Sequence, residues 1–218
     1  LFSIKFAGLD KEGIPMFYNE KGEITQTDLS FQGGDDFSWL KYEGSIDPTF
    51  TGSLGNTFTY KNFHLNVYLT YSGGNVVRLD PVFSAQYSDL TAMTREFKNR
   101  WMIPGDENKT NIPTILSYRQ YYENSLLTTA YNAYNYSTER VAKGGFIRLK
   151  EISLGYDFPK KLIDPLKINS LSLKLQATNL CLLYADKKLN GQDPEFINSG
   201  GVASPVPRQF TLTLRLGL

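Results

Sequence analysis

Few of the residues able to do chemistry are placed to do it. The 218-residue chain holds one histidine and one cysteine. A single cysteine rules out an internal disulfide framework and any Cys-rich zinc site, and one histidine cannot build a His-rich metal centre. His64 falls on the polar side of an alternating segment. As a catalytic base it would need a nucleophile and an orienting third group within hydrogen-bond reach. Ser72 shares its face but lies too far along an extended chain. Asp106 and Glu107 are adjacent and would point apart, whereas Asp193 and Glu195 share a side. Neither pair offers the roughly six oxygen ligands, or the loop spacing, of a calcium site. Both sit in turn-forming contexts, Pro104-Gly105-Asp106 and Asp193-Pro194-Glu195, where a carboxylate commonly ties down backbone N–H groups. The expectation is a chain with no catalytic residues, no metal and no cofactor, which is not an enzyme. Its net charge of +1, from 23 Lys and Arg against 22 Asp and Glu, lacks the basic excess of a nucleic-acid-binding domain.

Aromatic residues make up 14% of the chain. Tyr118, Tyr121, Tyr122, Tyr131, Tyr134 and Tyr136 cluster in one long connection. Tyrosine gives broad contact area with a polar tip, so these rings either contact a partner or substrate or form the connection's own core. Cys181 reads as an inert apolar filler just beyond a strand. The chain opens Leu-Phe-Ser without Met, which reads as a piece of something longer.

The elements that must position these residues announce themselves by a period of two. Phe63, Leu65, Val67, Leu69 and Tyr71 alternate with His64, Asn66, Tyr68, Thr70 and Ser72. Phe210, Leu212, Leu214, Leu216 and Leu218 alternate with Thr211, Thr213, Arg215 and Gly217, and Leu171, Leu173 and Leu175 with Ser172, Lys174 and Gln176. Such alternation means strands with one apolar and one polar face. The pattern predicts six strands, at 1–8, 48–60, 61–72, 146–158, 169–179 and 208–218. A flip of phase reads either as a bulge near Leu149–Ile152 or as a strand whose upper part stands clear of the apolar surroundings. Ser88 and Asp89 are expected to cap a short helix through Leu90, Met93, Phe97 and Trp101.

Short turns at 60–62 and 159–168 alternate with long connections at about 9–47, 73–145 and 180–207. A structureless loop of that length is unusual inside a compact domain. Short turns on one rim and long loops on the other are the habit of outer-membrane β-barrels. The parity agrees, because both short turns fall on one side and all long connections on the other. Strands of this length suit a tilted bilayer crossing of about 9–11 residues, and aromatics gather at strand ends as interfacial girdles do. The alternative is a soluble β-sandwich that binds glycans, in which the apolar faces pack into a core. Six strands leave open edges that lipid does not tolerate, so the expected fold is all-β, an antiparallel transmembrane barrel of which this chain is a portion. His64, Asn66, Lys174, Gln176 and Arg215 are the candidates to face its lumen.

Several strings then look familiar. Trp101-Met-Ile-Pro104-Gly105-Asp106 resembles the W-x-x-P-G-D stretch of the SusC/RagA family of TonB-dependent outer-membrane transporters. Phe146-Ile-Arg148-Leu-Lys150-Glu-Ile-Ser153-Leu-Gly155-Tyr156 is similar to that family's "flRLknisLgY" strand. Asn179-Leu180 with Gly191-Gln-Asp193-Pro194-Glu195 resembles its "NL…G.DPE" segment, and Pro207-Arg208-Gln-Phe210-Thr211 its "PRxFT" strand. Ala7-Gly8-Leu9-Asp10 with Gly13-Ile14-Pro15 resembles a further "aGLD…G.P" segment. The resemblance implies a 22-stranded barrel ending in this chain, with a plug domain and a TonB box in sequence that precedes it. It implies location in the bacterial outer membrane and a SusD-like surface lipoprotein as lid. It also implies uptake of oligosaccharides or oligopeptides, energised through TonB and gated by plug and lid.

Overall fold

The structure, a computed structural model, describes residues 1–29, 37–82, 94–197 and 207–217, with Leu166 described by its backbone only. In chain order the strands are β1 (Phe2–Ser3), β2 (Phe6–Leu9), β3 (Pro15–Tyr18), β4 (Ile24–Thr25), β5 (Lys41–Tyr42), β6 (Phe50–Tyr60), β7 (Phe63–Gly73) and β8 (Val76–Arg78). They continue with β9 (Val141–Lys143), β10 (Phe146–Asp157), β11 (Ser170–Ala185) and β12 (Gln209–Gly217), and the α-helices are α1 (Tyr118–Glu123), α2 (Leu127–Asn135) and α3 (Lys160–Ile163). The chain forms two compact units. One comprises residues 1–46, 76–143 and 187–192, the other 47–75, 144–186 and 193–218.

The second unit is a five-stranded antiparallel sheet in the order β12-β11-β10-β7-β6. Strands that follow one another in the chain are neighbours in this sheet except where β8 and β9, which pair separately, intervene between β7 and β10, and among the described residues both outer strands are unpaired edges. The bulge is present: the register of β10 slips between Leu149 and Glu151 against both neighbours. The slip keeps an apolar row on one face although the sequence phase flips. Aromatic rings fill the gaps left by missing side chains, Tyr71 at Gly52 and Phe50 at Gly73. The Phe50 ring lies over Gly73 on the neighbouring strand, where a Cβ would come within 2.5 Å of it.

The first unit buries a small core of its own. Leu127, Ala130, Tyr131 and Tyr134 recur along one face of α2 at helical spacing. Ala130, Tyr131 and Tyr134 pack with Ile4, Phe17, Val82, Phe97 and Ala133. The hairpin β2–β3 with β4 forms a three-stranded sheet beside this core.

Three expectations change. Residues 1–8 do not form a wall strand: β1 pairs with β5 and β2 with β3, so the long sheet has five strands among the described residues, not six. Phe2, Ile4 and Phe6 have the right period, but Gly8, with φ of 108°, sits at a slip of register within β2, and the chain reverses just after it at Asp10–Gly13. The Asp10 carboxylate then accepts from the Glu12 and Ile14 N–H groups at 2.8 and 2.9 Å, closing a hairpin too short to cross a bilayer. Second, β11 runs on from the expected end at Thr178–Asn179 to Ala185, so Cys181 lies within the strand, opposite Leu149, not beyond it. Asn179 has φ of 54°, an irregularity the strand absorbs. Third, Arg95–Asn99 is a 3-10 turn, not an α-helix, and the chain is extended again at Arg100. The Ser88–Met93 portion of that expected helix lies outside the described residues.

Candidate functional site

Register turns the five strands into rows that run across the sheet. One row reads Tyr60, Phe63, Tyr156, Leu173, Leu214 and another Phe58, Leu65, Leu154, Leu175, Leu212. Between them lies Thr59, His64, Gly155, Lys174, Thr213, and on the other side Thr57, Asn66, Ser153, Gln176, Thr211. These rows are all apolar or nearly all polar, and the two kinds alternate; further along, Asn56 interrupts an apolar row and the row Thr51, Ser72, Phe146, Ala185 is mixed. Since successive side chains point to opposite faces, one face of the sheet is mainly apolar and the other hydroxyl- and amide-rich. The apolar face is uncovered: Phe210 is 76% exposed, Leu212 65% and Leu54 61%. In a soluble sandwich these would be the core.

Aromatic rings bracket that face. Near the short turns Phe63 and Tyr156 stand 4.6 Å apart and Tyr156 and Phe158 5.0 Å, beside Tyr60. Towards the opposite ends lie Phe50, Tyr71 and Tyr184. An apolar band between two aromatic girdles is the exterior of a membrane barrel.

The structure brings together the five residues expected on the opposite face. His64 and Lys174 share one row and Asn66 and Gln176 the next; Arg215 pairs with Ser172 on the same side, opposite Asp157. His64 Nε2 lies 2.9 Å from Asp157 Oδ2 and its Nδ1 3.3 Å from Thr59 Oγ1. Thr57 donates to the Asn66 side chain at 3.1 Å. The face is a hydrogen-bonded polar lining.

Sequence reasoning missed a buried ion pair on this face. Arg148 is 7% exposed and Asp193 8%, with Arg148 Nη2 2.6 Å from both oxygens of Asp193 and 3.0 Å from Glu195. Asp193 also accepts the Glu195 N–H at 3.1 Å, so the turn-tying role holds and the pair has a second one. It anchors the start of the chain beyond Asp193 to the polar face of β10. The available signal was a lone arginine in a strand and two acids on one side of a distant turn. The arginine's string and the acids' string are two of those that resemble the transporter family.

Two further strings meet in the first unit. The Trp101 ring packs on Gly13, whose φ of 77° and lack of Cβ allow it. The Trp101 indole N–H donates to Glu107 at 3.0 Å, and Glu107 also accepts the Gly105 N–H at 2.8 Å. Asp106 accepts from the N–H groups of Ile103 and Met102 at 3.1 and 3.3 Å. Both carboxyls are held below their ordinary range, Asp106 chiefly by the Ile103 backbone N–H and Glu107 chiefly by the Trp101 indole.

The tyrosines divide. Tyr131 and Tyr134 are each 1% exposed and belong to the core of the first unit, so they are withdrawn as contact candidates; burial pushes both phenols up. Tyr118, Tyr121, Tyr122 and Tyr136 are exposed. Helix α1, closed by a Ser117–Gln120 capping box, presents Tyr118 and Tyr122 with their hydroxyls 2.7 Å apart. The first unit also holds a cavity of about 570 Å³ lined by both charge signs, including Glu96, Arg100, Lys109, Glu139 and Arg140. Buried Arg140 is set there by Glu96 at 2.7 Å and the Asp80 carbonyl at 2.6 Å. Among the described residues no group of three or more His, Cys, Asp or Glu could hold a metal ion. No helix among them is long and apolar enough to cross a membrane, which says nothing of strands.

No family model matches the chain. Two curated proteins of Formosa agariphila do. TonB-dependent receptor P3 is 28% identical over 202 residues, which are 87% of this chain and 18% of the receptor. TonB-dependent receptor P39 is 26% identical over 160 residues, 72% of this chain and 14% of that one. Among solved structures the chain is similar to the RagAB peptide transporter, with a TM-score of 0.66 and 21% identity over 99% of this chain and 22% of that one. The RagAB peptide importer in its 'open-open' state gives 0.65 and 20% over 100% and 22%. The chain thus spans less than a fifth of the curated relatives it matches. The structural likeness establishes the fold, an open antiparallel portion of a larger barrel. With the curated relatives it bears out the resemblance to a fragment of a SusC/RagA-type TonB-dependent transporter.

Proposed function

We propose that this chain supplies part of the barrel wall and the long loops of an outer-membrane TonB-dependent importer of oligosaccharides or oligopeptides. The observation that carries the reading is the two-faced sheet: a bare apolar band between aromatic girdles, backed by a continuous polar lining. In this reading the apolar rows meet outer-membrane lipid. His64, Asn66, Lys174, Gln176 and Arg215 line a wetted lumen and perform no covalent step. The two unpaired edges, β6 and β12, join the remainder of the same barrel, because lipid tolerates no open edge. A plug and a TonB contact reside in sequence outside this chain, and a SusD-like surface lipoprotein closes the loop side. The exposed tyrosines Tyr118, Tyr121, Tyr122 and Tyr136 are contact candidates for that lipoprotein or for substrate. The likeness to the TonB-dependent receptors and to RagAB supports the barrel-wall and importer reading. The test is growth on single oligosaccharides or oligopeptides by a host in which the gene is deleted and restored. Loss of growth on one such nutrient, restored only when TonB is functional, is the expected result. Uptake unaffected by deletion of either overturns the reading.

A further inference from the structure

The rim at the short turns carries a charge pattern that a lumen-lining role does not need. Residues 61–62 and 158–169 contain Lys61, Lys160, Lys161 and Lys167 against the single acid Asp164. All four lysines are exposed, and none of the four forms an ion pair among the described residues. The nearest other acid, Asp157, is turned to His64 on the polar face. At the opposite ends of β6 and β11 the flanking charges of this unit are acidic, Asp47 and Asp186.

The rim also points to the apolar side. The Lys61 ammonium lies 5.4 Å from the centroid of the Tyr60 ring, and Tyr60 belongs to the apolar row with Phe63 and Tyr156. In α3, Ile163 is buried while its neighbour Leu162 is 59% exposed, flanked by Lys160 and Lys161. Lysines beside exposed apolar and aromatic side chains are how a surface meets a lipid interface: the stems and rings enter it and the ammonium groups stay among the headgroups.

From this we propose that the lysine rim is a docking surface for anionic phospholipid headgroups in the leaflet that faces the short turns. The inference rests on the proposed membrane reading, since it needs the apolar rows in lipid. Charge complementarity and continuity with the lower aromatic girdle select this occupant. Basic residues near an anionic surface each add attraction that decays within a Debye length, so the selectivity must weaken with salt.

The test uses the full-length protein in vesicles doped with spin-labelled phosphatidylglycerol or phosphatidylcholine. The immobilised fraction of each is read by electron paramagnetic resonance. The expected result is a preference for phosphatidylglycerol of roughly fivefold, reduced towards parity by high salt and by the combined K61Q, K160Q, K161Q and K167Q variant. The matching Lys→Arg variant keeps the preference, which separates lost charge from lost fold. Immobilised lipid without headgroup preference, or a preference unchanged by the Gln variant, overturns the inference and leaves the membrane reading intact. No immobilised lipid at all overturns both. Lysine-dependent binding of heparin in detergent, without any lipid preference, assigns the rim to an acidic macromolecule and overturns it too.

Discussion

The two units put the same sequence pattern to opposite uses. In the first, apolar side chains turn inward: Ile4, Phe17, Tyr131 and Tyr134 are buried together around α2. In the second, Leu154, Leu175, Leu212 and Leu214 turn outward across a sheet that nothing covers. The local rule is identical, because Phe2, Ile4 and Phe6 alternate as cleanly as Phe210, Leu212 and Leu214. What differs is what each apolar face meets, a protein core in one case and, on the proposed reading, lipid in the other. Alternation reports that a strand has two faces and is silent on which of them is the inside.

This contrast can be broken by substitution. The largest effect is expected in the packed unit. Phe17→Ala removes a fully buried ring and should cost about 3–5 kcal/mol, read as local loss of protection in hydrogen exchange across β2, β3 and α2. Leu212→Ala on the bare face should cost much less in vesicles; equal costs would mean that the apolar rows are a core after all. In the wall itself, Asp193→Ala leaves Arg148 buried with Glu195 as its one acidic partner and should cost about 3 kcal/mol in urea unfolding. The double change Arg148→Met with Asp193→Leu should recover most of that loss, since it removes both buried charges. Leu212→Arg is expected to cost about 2–4 kcal/mol in a bilayer if the residue lies near the midplane.

The smallest effect concerns acid. Asp106 and Glu107 have folded-state values below the ordinary 3.8 and 4.5. Their contribution to the turn is therefore complete above that range and is lost as pH falls through the lowered values. In a Trp39→Phe background, Trp101 fluorescence should report loosening of this turn only below about pH 4. Glu107→Gln should shift that transition, and loosening already near neutrality would contradict the hydrogen-bond assignment.

Much of the wall was legible from the chain because a long sheet with two different environments writes a strict period of two. The strands around His64 and Leu212, the bulge between Leu149 and Glu151 and the shared face of Lys174 and Gln176 all follow from it. The first unit was not legible for two reasons. Its strands are two to four residues long, too short for periodicity to separate them from a wall strand, as residues 1–8 show. Its core is assembled from distant pieces, with Ile4 and Phe17 meeting α2 more than a hundred residues later. The Arg148–Asp193 pair was hidden for the second reason, since nothing near either residue names the other. The split of the tyrosines was hidden because Tyr131 and Tyr134 differ from Tyr118 and Tyr122 in burial and not in kind.

The central claim is that the apolar rows face lipid and the polar rows face water. It is tested most directly by a spin-label scan along β12. With Cys181 replaced by Ala, single cysteines from Phe210 to Leu216 are labelled in the reconstituted full-length protein, and their collisions with oxygen and with a water-soluble nickel complex are compared. The expected result is alternation residue by residue, with Phe210, Leu212, Leu214 and Leu216 favouring oxygen and Thr211, Thr213 and Arg215 favouring nickel. Low accessibility to both reagents at the leucine positions would contradict the account, because it would place that face in a protein core.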